Sequence, residues 1–189
     1  ERAGYYEDFA PSSVLPTALV TPFVHADTWS TFRGRRHGRP VDPSVTPGDR
    51  FVTFLQNHDQ IGNRREGDRL SATLSTRRLQ CGAALLLTSA YTPLLFMGEE
   101  WGASTPWMFF SDHPDAAIAA AVRSGRLAEF ARHGWASADV PDPQDPATRD
   151  RSVLQWQERD QGAHAVLLRW YKALLALRSA RADLRDPDL

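Results

Sequence analysis

The 189-residue chain has a single cysteine, so it cannot form an internal disulfide or assemble a thiolate metal cluster. Cys81 stands among Leu79, Ala83, Ala84 and Leu85 and is read as a small buried thiol. A reducing compartment, the cytoplasm, fits that usage. No apolar run approaches the roughly 18–20 residues of a membrane span. No charged start followed by an apolar stretch and a small-residue cleavage site opens the chain. A membrane is therefore not an expected partner. Surplus charge of one sign is missing too: 22 Lys and Arg face 23 Asp and Glu, net charge -1. Without a basic excess there is no broad field to hold a polyanion, and nucleic acid is not expected either. Neither a Gly-rich phosphate loop nor a G-x-S-x-G elbow occurs, which removes nucleotide binding and serine hydrolysis as leading readings. Internal repeats and low-complexity tracts are also absent.

What is present is a globular composition, 42% hydrophobic and 24% charged, enough for a core of ordinary domain size. "SVLPTALV", from Ser13 to Val20, predicts a short helix capped by Ser12 or Ser13, with Pro16 near its first turn. The next stretch, "HADTWSTFRGRRHGRPVDPSVTPGD", reads as a long polar loop pinned by Trp29 and Phe32. Its basic run, Arg33 to Arg39, could grip a phosphate or carboxylate, or could be a solvated surface. Phe51 to Leu55 is apolar apart from Thr53, the pattern of a strand covered on both faces. Leu79, Ala83, Leu86 and Ala90 then recur at helical spacing within residues 75–91, and "PLLFMG" reads as a second buried strand. Strand, polar tip, helix, strand and polar tip make a repeated β/α unit. Such units run their strands parallel and gather the carboxyl ends on one side, where α/β folds build sites.

Further on, "DAAIAAAVRSGRLAEFARHGW" predicts two short helices, with Pro114 in a first turn, a break at Gly125 and a stop at Gly134. "VPDPQDPATRD" reads as a stiff polar turn segment rather than a core element. Val166, Trp170, Leu174 and Leu177 mark one face of a helix from about Gly162 to Ser179. The chain opens on Glu1 and closes on "RADLRDPDL" just past that helix. It is expected to be a piece of a longer polypeptide, a partial domain over residues 1–189, truncated at both ends, with no second domain.

The chemistry concentrates in "FLQNHDQIGNR", where His58 and Asp59 follow the first apolar strand. Three readings stand side by side. The pair could bind a polar organic substrate such as a sugar, since a carboxylate accepts two hydroxyl protons and an imidazole nitrogen holds a third group. It could ligate a metal, although the other histidines, at positions 25, 37, 113, 133 and 164, are single and scattered. It could simply satisfy loop backbone. "GEEWG" poses the same choice: Glu99 and Glu100 touch ligand or brace a neighbouring loop. Trp101, Trp107, Phe109 and Phe110 offer flat faces to sugar rings or, for most of them, pack as core.

Taken in order, "FLQNHDQIGNR", "GDRL", "TPLLFMGEEWGASTPWMFFSDH" and "VPDPQDPAT" resemble the malto-oligosyltrehalose trehalohydrolases, members of the α-amylase family of glycoside hydrolases. "GYYEDF" and "FRGRRHG" are similar to the same group, so the likeness spans nearly the whole chain. It implies an α/β fold, the C-terminal portion of a (β/α)8 TIM barrel. Residues 51–56 would be the seventh strand and residues 93–97 the eighth, with flanking helices, incomplete as a closed barrel. It also implies three acting carboxylates, of which Asp59 matches the transition-state stabiliser. His58 matches the histidine that holds the same sugar, and Gln60, Ile61, Gly62 and Asn63 fall on the adjoining substrate loop. No cofactor and no metal are implied. The nucleophile and acid/base motifs have no match here, so the missing N-terminal part of the same polypeptide is the expected partner, besides maltooligosyltrehalose or a related α-glucan. The expected activity is retaining cleavage of the α-1,4 bond next to the terminal trehalose, releasing trehalose, with this fragment inactive alone. The alternatives are another α-glucan enzyme of the family, such as a branching enzyme, from which Gln60 departs, or a noncatalytic truncated glucan-binding product.

Overall fold

The computed structural model of the chain describes residues 4–21, 23–131 and 140–186. They fall into two compact units. One comprises Glu1–Thr53, Thr88–Pro93 and Arg178–Leu189, the other Phe54–Leu87 and Leu94–Leu177.

In the first unit, helix α1 (Val14–Val20) starts at Ser13 as expected, but the Ser13 side chain makes no capping hydrogen bond. The long stretch read as a loop is instead an antiparallel hairpin, β1 (Ala26–Ser30) and β2 (Arg35–Gly38). Its register sets Thr28 against His37, Trp29 against Arg36 and Ser30 against Arg35. Gly34, at φ 60, closes the tip in a conformation that side chains resist. Trp29 and Phe32, expected to pin the segment, are both more than half exposed rather than buried. Asp8 does that work: its carboxylate accepts from the Ser30 hydroxyl and from the Thr31 backbone N–H, each at 2.8 Å. Those bonds, that of Thr31 foremost, hold the Asp8 carboxyl below its ordinary range. In the basic run, Arg36 turns back onto Asp27, with Nη1 3.3 Å from the carboxylate.

Strands β3 (Val52–Thr53) and β4 (Thr92–Pro93) are parallel, as the β/α reading required. They are far shorter than expected, and they are not buried on both faces: Val52 is 54% exposed. Neither strand has another hydrogen-bonded neighbour among the described residues, so the ladder ends within two residues and no barrel closes. Pro93, lacking an N–H, helps end it.

The second unit is built around helices α4 (Thr76–Leu87) and α7 (Gly162–Ala180). Ala83 and Leu87 of α4 pack against Leu167, Tyr171 and Leu174 of α7, with Leu79, Ala84 and Leu95 beside them. The face of α7 is turned by one residue from the expected one: Val166, Trp170 and Leu177 are exposed, and only Leu174 is shared. Two polar tips explain the turn. Tyr171 must bring its hydroxyl to a buried acid, and Trp170 keeps its indole N–H on the Gln80 carbonyl at 2.9 Å, which holds the ring at the rim. Cys81 is exposed rather than buried, because two residues before Ala83 it points about 200° around the helix.

Helix α5 (Ala116–Ala131) runs unbroken through Gly125, where one helix replaces the expected two. A mid-helix glycine costs about 1 kcal/mol, which the surrounding alanines offset. Pro114 lies outside it, ahead of Asp115, whose carboxylate caps the N–H groups of Ala117 and Ile118. The predicted stop at Gly134 lies outside the described residues. In the proline-rich segment, Asp145 caps helix α6 (Pro146–Asp150) with Pro146 at the first position. Contrary to expectation the segment does enter the interior: Pro143 and Thr148 are fully buried, and the Thr148 hydroxyl donates to the Asp142 carbonyl at 2.7 Å. No described helix is long and apolar enough to cross a membrane.

Candidate active site

The polar tip begins with Gln56, whose buried side chain accepts from the Leu70 N–H at 3.1 Å. Asn57 then caps the five-residue helix α2 (His58–Gly62), its Oδ1 accepting from the Gln60 N–H at 2.9 Å. A cap of this kind fixes where the first turn points. It leaves His58 and Asp59 side by side and open: Nε2 lies 3.3 Å from Oδ1, and the side chains are 70% and 72% exposed. Gln60 and Asn63 are also exposed, whereas Ile61, 2% exposed, and Gly62 are buried. The half-buried Trp107 covers Gly62 and lies between the rings of Phe96 and Phe110, at 5.6 and 5.3 Å. Six predicted site residues are therefore contiguous on one short helix and its end, four facing outward and two anchoring.

The following turn is locked by Gly67, at φ 61, whose carbonyl accepts from the Trp107 N–H at 2.8 Å. Next comes helix α3 (Leu70–Thr73), preceded by Arg69. This arginine is 2% exposed and spans the site region, donating from Nε to the Thr105 carbonyl at 2.6 Å and from Nη1 to the Met97 carbonyl at 2.8 Å. Burial draws its pKa down, while Glu100, Glu99 and Glu158 pull the other way. It was present in the quoted "GDRL", but nothing in four letters announces that the arginine goes inside.

Glu99 resolves the choice posed by "GEEWG". It is 5% exposed and accepts from the Tyr171 hydroxyl at 2.9 Å, so it braces the interior. Burial pushes its carboxyl up to about 7, against hydrogen bonds from Tyr171, the Phe96 backbone and Gln56 that favour the charged form. Tyr171 is raised in turn by burial and by Glu99. Trp101, 2% exposed, is core and packs on Trp156 at 5.2 Å, whereas Phe109 is 43% exposed. No group of three or more His, Cys, Asp and Glu among the described residues is placed to hold a metal ion. An open carboxylate with an imidazole beside it, on a rigid turn, can accept hydroxyl protons and stabilise a positive charge in a ligand.

No family model matches the chain. Curated relatives do. Over 186 residues it is 53% identical to the malto-oligosyltrehalose trehalohydrolase of Brevibacterium helvolum, covering 98% of this chain and 32% of that protein. The Mycobacterium tuberculosis protein of the same name is 51% identical over 187 residues, covering 99% and 32%. The chain is a homologue of the malto-oligosyltrehalose trehalohydrolases. A further relative of that name, from Arthrobacter ramosus, is 52% identical over 94% of the chain. This homologue spans about a third of the length of the curated relatives it matches. A 1.4 Å crystal structure from Salmonella typhimurium, of a protein assigned as an alpha amylase, superposes with a TM-score of 0.85 at 40% identity, over 96% of this chain and 30% of that one. The glycosidase resemblance carried by the motifs thus holds along the chain.

Proposed function

We propose that the chain is the strand-seven and strand-eight portion of the catalytic barrel of a retaining glycoside hydrolase. Its substrate would be maltooligosyltrehalose, cleaved at the α-1,4 bond next to the terminal trehalose. Support comes foremost from identity near 50% over almost every residue to enzymes of that name. In this reading β3 and β4 are barrel strands seven and eight, and the polar tip after β3 meets the substrate. Asp59 is the transition-state stabiliser, and its exposed carboxylate accepts hydroxyl protons of the sugar whose bond breaks. As an oxocarbenium-like charge develops, those bonds strengthen, an effect of several kcal/mol in enzymes of this type. His58 holds the same sugar, Gln60 and Asn63 line the adjoining loop, and Ile61 and Gly62 fasten it. The nucleophile and acid/base come from a part of the polypeptide that this chain does not contain. The 189-residue chain alone should therefore release no trehalose.

The test uses the full-length protein that carries this chain. Asp59→Asn should lower kcat about 10²- to 10³-fold with a much smaller change in KM, and near-normal turnover would overturn the assignment. The 40% identity to the Salmonella protein favours a second reading, an α-glucan hydrolase acting on plain maltodextrin. Comparing kcat/KM on maltooligosyltrehalose and on maltodextrin of equal length separates the two.

A further inference from the structure

We infer that Arg126, on helix α5, is a positioning residue for the Asp59 loop; the inference rests on Asp59 acting on substrate. Of the sixteen residues of α5, only Arg126 and Phe130 are buried. A helix that served the core would bury an apolar stripe instead. What α5 buries is one phenylalanine and a cation, and that cation is spent on the end of α2. Arg126 Nη2 donates to the carbonyl of Gly62, the last residue of α2, and Nη1 donates to Oδ1 of Asn63, its C-cap, at 3.0 Å. The Asn63 N–H in turn donates to the Asp59 main-chain carbonyl at 3.0 Å. A continuous path of hydrogen bonds therefore runs from guanidinium to Asn63 to the backbone that carries the Asp59 carboxylate.

The guanidinium is itself held. It lies over the Phe130 ring at 4.4 Å and the Phe109 ring at 5.0 Å, and Nη1 is 3.0 Å from the Glu129 carboxylate. Attraction to both rings holds the fork in place, and a planar fork serves two acceptors at fixed angles, which an ammonium cannot do. Asp59 is 72% exposed, and its ion-pair neighbour, His58 at 3.3 Å, is as open as itself and rides on the same turn. Its aim depends on the turn beneath it, and Arg126 clamps the end of that turn by hydrogen bonds where Trp107 only packs against it.

The experiment measures kcat, KM and thermal midpoint for Arg126→Met, Arg126→Lys and Asp59→Asn in the full-length protein on maltooligosyltrehalose. Arg126→Met should lower kcat about 10- to 100-fold, the scale of a roughly 1 Å misplacement, with KM within about threefold, because sugar contacts away from Asp59 persist. Arg126→Lys should recover part of kcat, since it keeps the charge and one hydrogen bond. If Arg126→Met does not fold, Arg126→Lys carries the test, and a kcat drop with an unchanged midpoint supports the inference. Unchanged kcat in a folded Arg126 variant, or a loss that merely tracks the folded fraction, overturns it. Asp59→Asn separates the two ideas. Full turnover there sinks the Asp59 reading, whereas an inactive Asp59→Asn beside fully active Arg126 variants sinks only the positioning role.

Discussion

Replacing Glu99 by glutamine should remove a pH dependence of folding that the wild-type protein carries. In the folded state the Glu99 carboxyl is raised from 4.5 to about 7, chiefly by burial. Below pH 4.5 the group is neutral whether the chain is folded or unfolded, and the stability it permits is fully present. As the pH rises above 4.5 the unfolded chain releases the proton and the folded one keeps it. Each pH unit then takes about 1.4 kcal/mol from stability, until the folded state also ionises near 7. Over the window the loss comes to about 3 kcal/mol. Glutamine is neutral throughout and still accepts from the Tyr171 hydroxyl, so Glu99→Gln should flatten this part of the curve. Urea unfolding of the full-length protein and its variant, followed by tryptophan fluorescence at several values from about pH 4.5 to 8, reads the difference. The variant's relative stability should climb by about 3 kcal/mol across that range and then level off. A difference that stays constant with pH would refute the reasoning, since it would mean that Glu99 ionises alike in both states.

Other substitutions probe the same framework. Arg69→Met strands the carbonyls of Thr105 and Met97 inside and should cost about 2–4 kcal/mol in urea unfolding. At Gly67 an added Cβ would come within 2.3 Å of the Trp107 carbonyl at a positive φ, so Gly67→Ala should destabilise by at least about 1–3 kcal/mol. Gly62→Ala, which meets Trp107 only at ordinary contact distance, should be milder by the same measurement. Asp8→Ala should speed hydrogen exchange at the Thr31 amide. In the wild type the same release should appear as the pH falls below about 3.8, the direction set by the lowered carboxyl.

Where side-chain pattern and burial coincide, the chain could be read directly. The parallel pairing of the two apolar segments was legible, as were the buried stripe of α4 and the near boundaries of α7, from Gly162. So was the placing of His58 and Asp59 at a polar tip just after the first apolar segment, whereas the cap that Asn57 makes on the Gln60 N–H was not read. The hairpin was hidden because its strands carry arginine, aspartate and serine with one face open to solvent, and what fixes it is a distant partner, Asp8. The face of α7 was misjudged by one position because hydrophobicity ranks Trp170 above Tyr171, while a buried acid 72 residues away in sequence, Glu99, calls for the phenol. Arg126 had no local signal at all. Its meaning comes from two rings and the end of a helix far off in sequence.

The way Arg69 makes its contacts has a consequence for change over time and for library design. Both of its recipients are main-chain oxygens, so the tie does not depend on which side chains stand at positions 97 and 105. Met97, 42% exposed, can drift or be randomised and the strut will survive, provided that its peptide group keeps its course, whereas Thr105, 7% exposed, is held to side chains of its own size by its surroundings. Position 69 has no such latitude, and tolerance in a saturation library should fall on position 97 and vanish at the giving end.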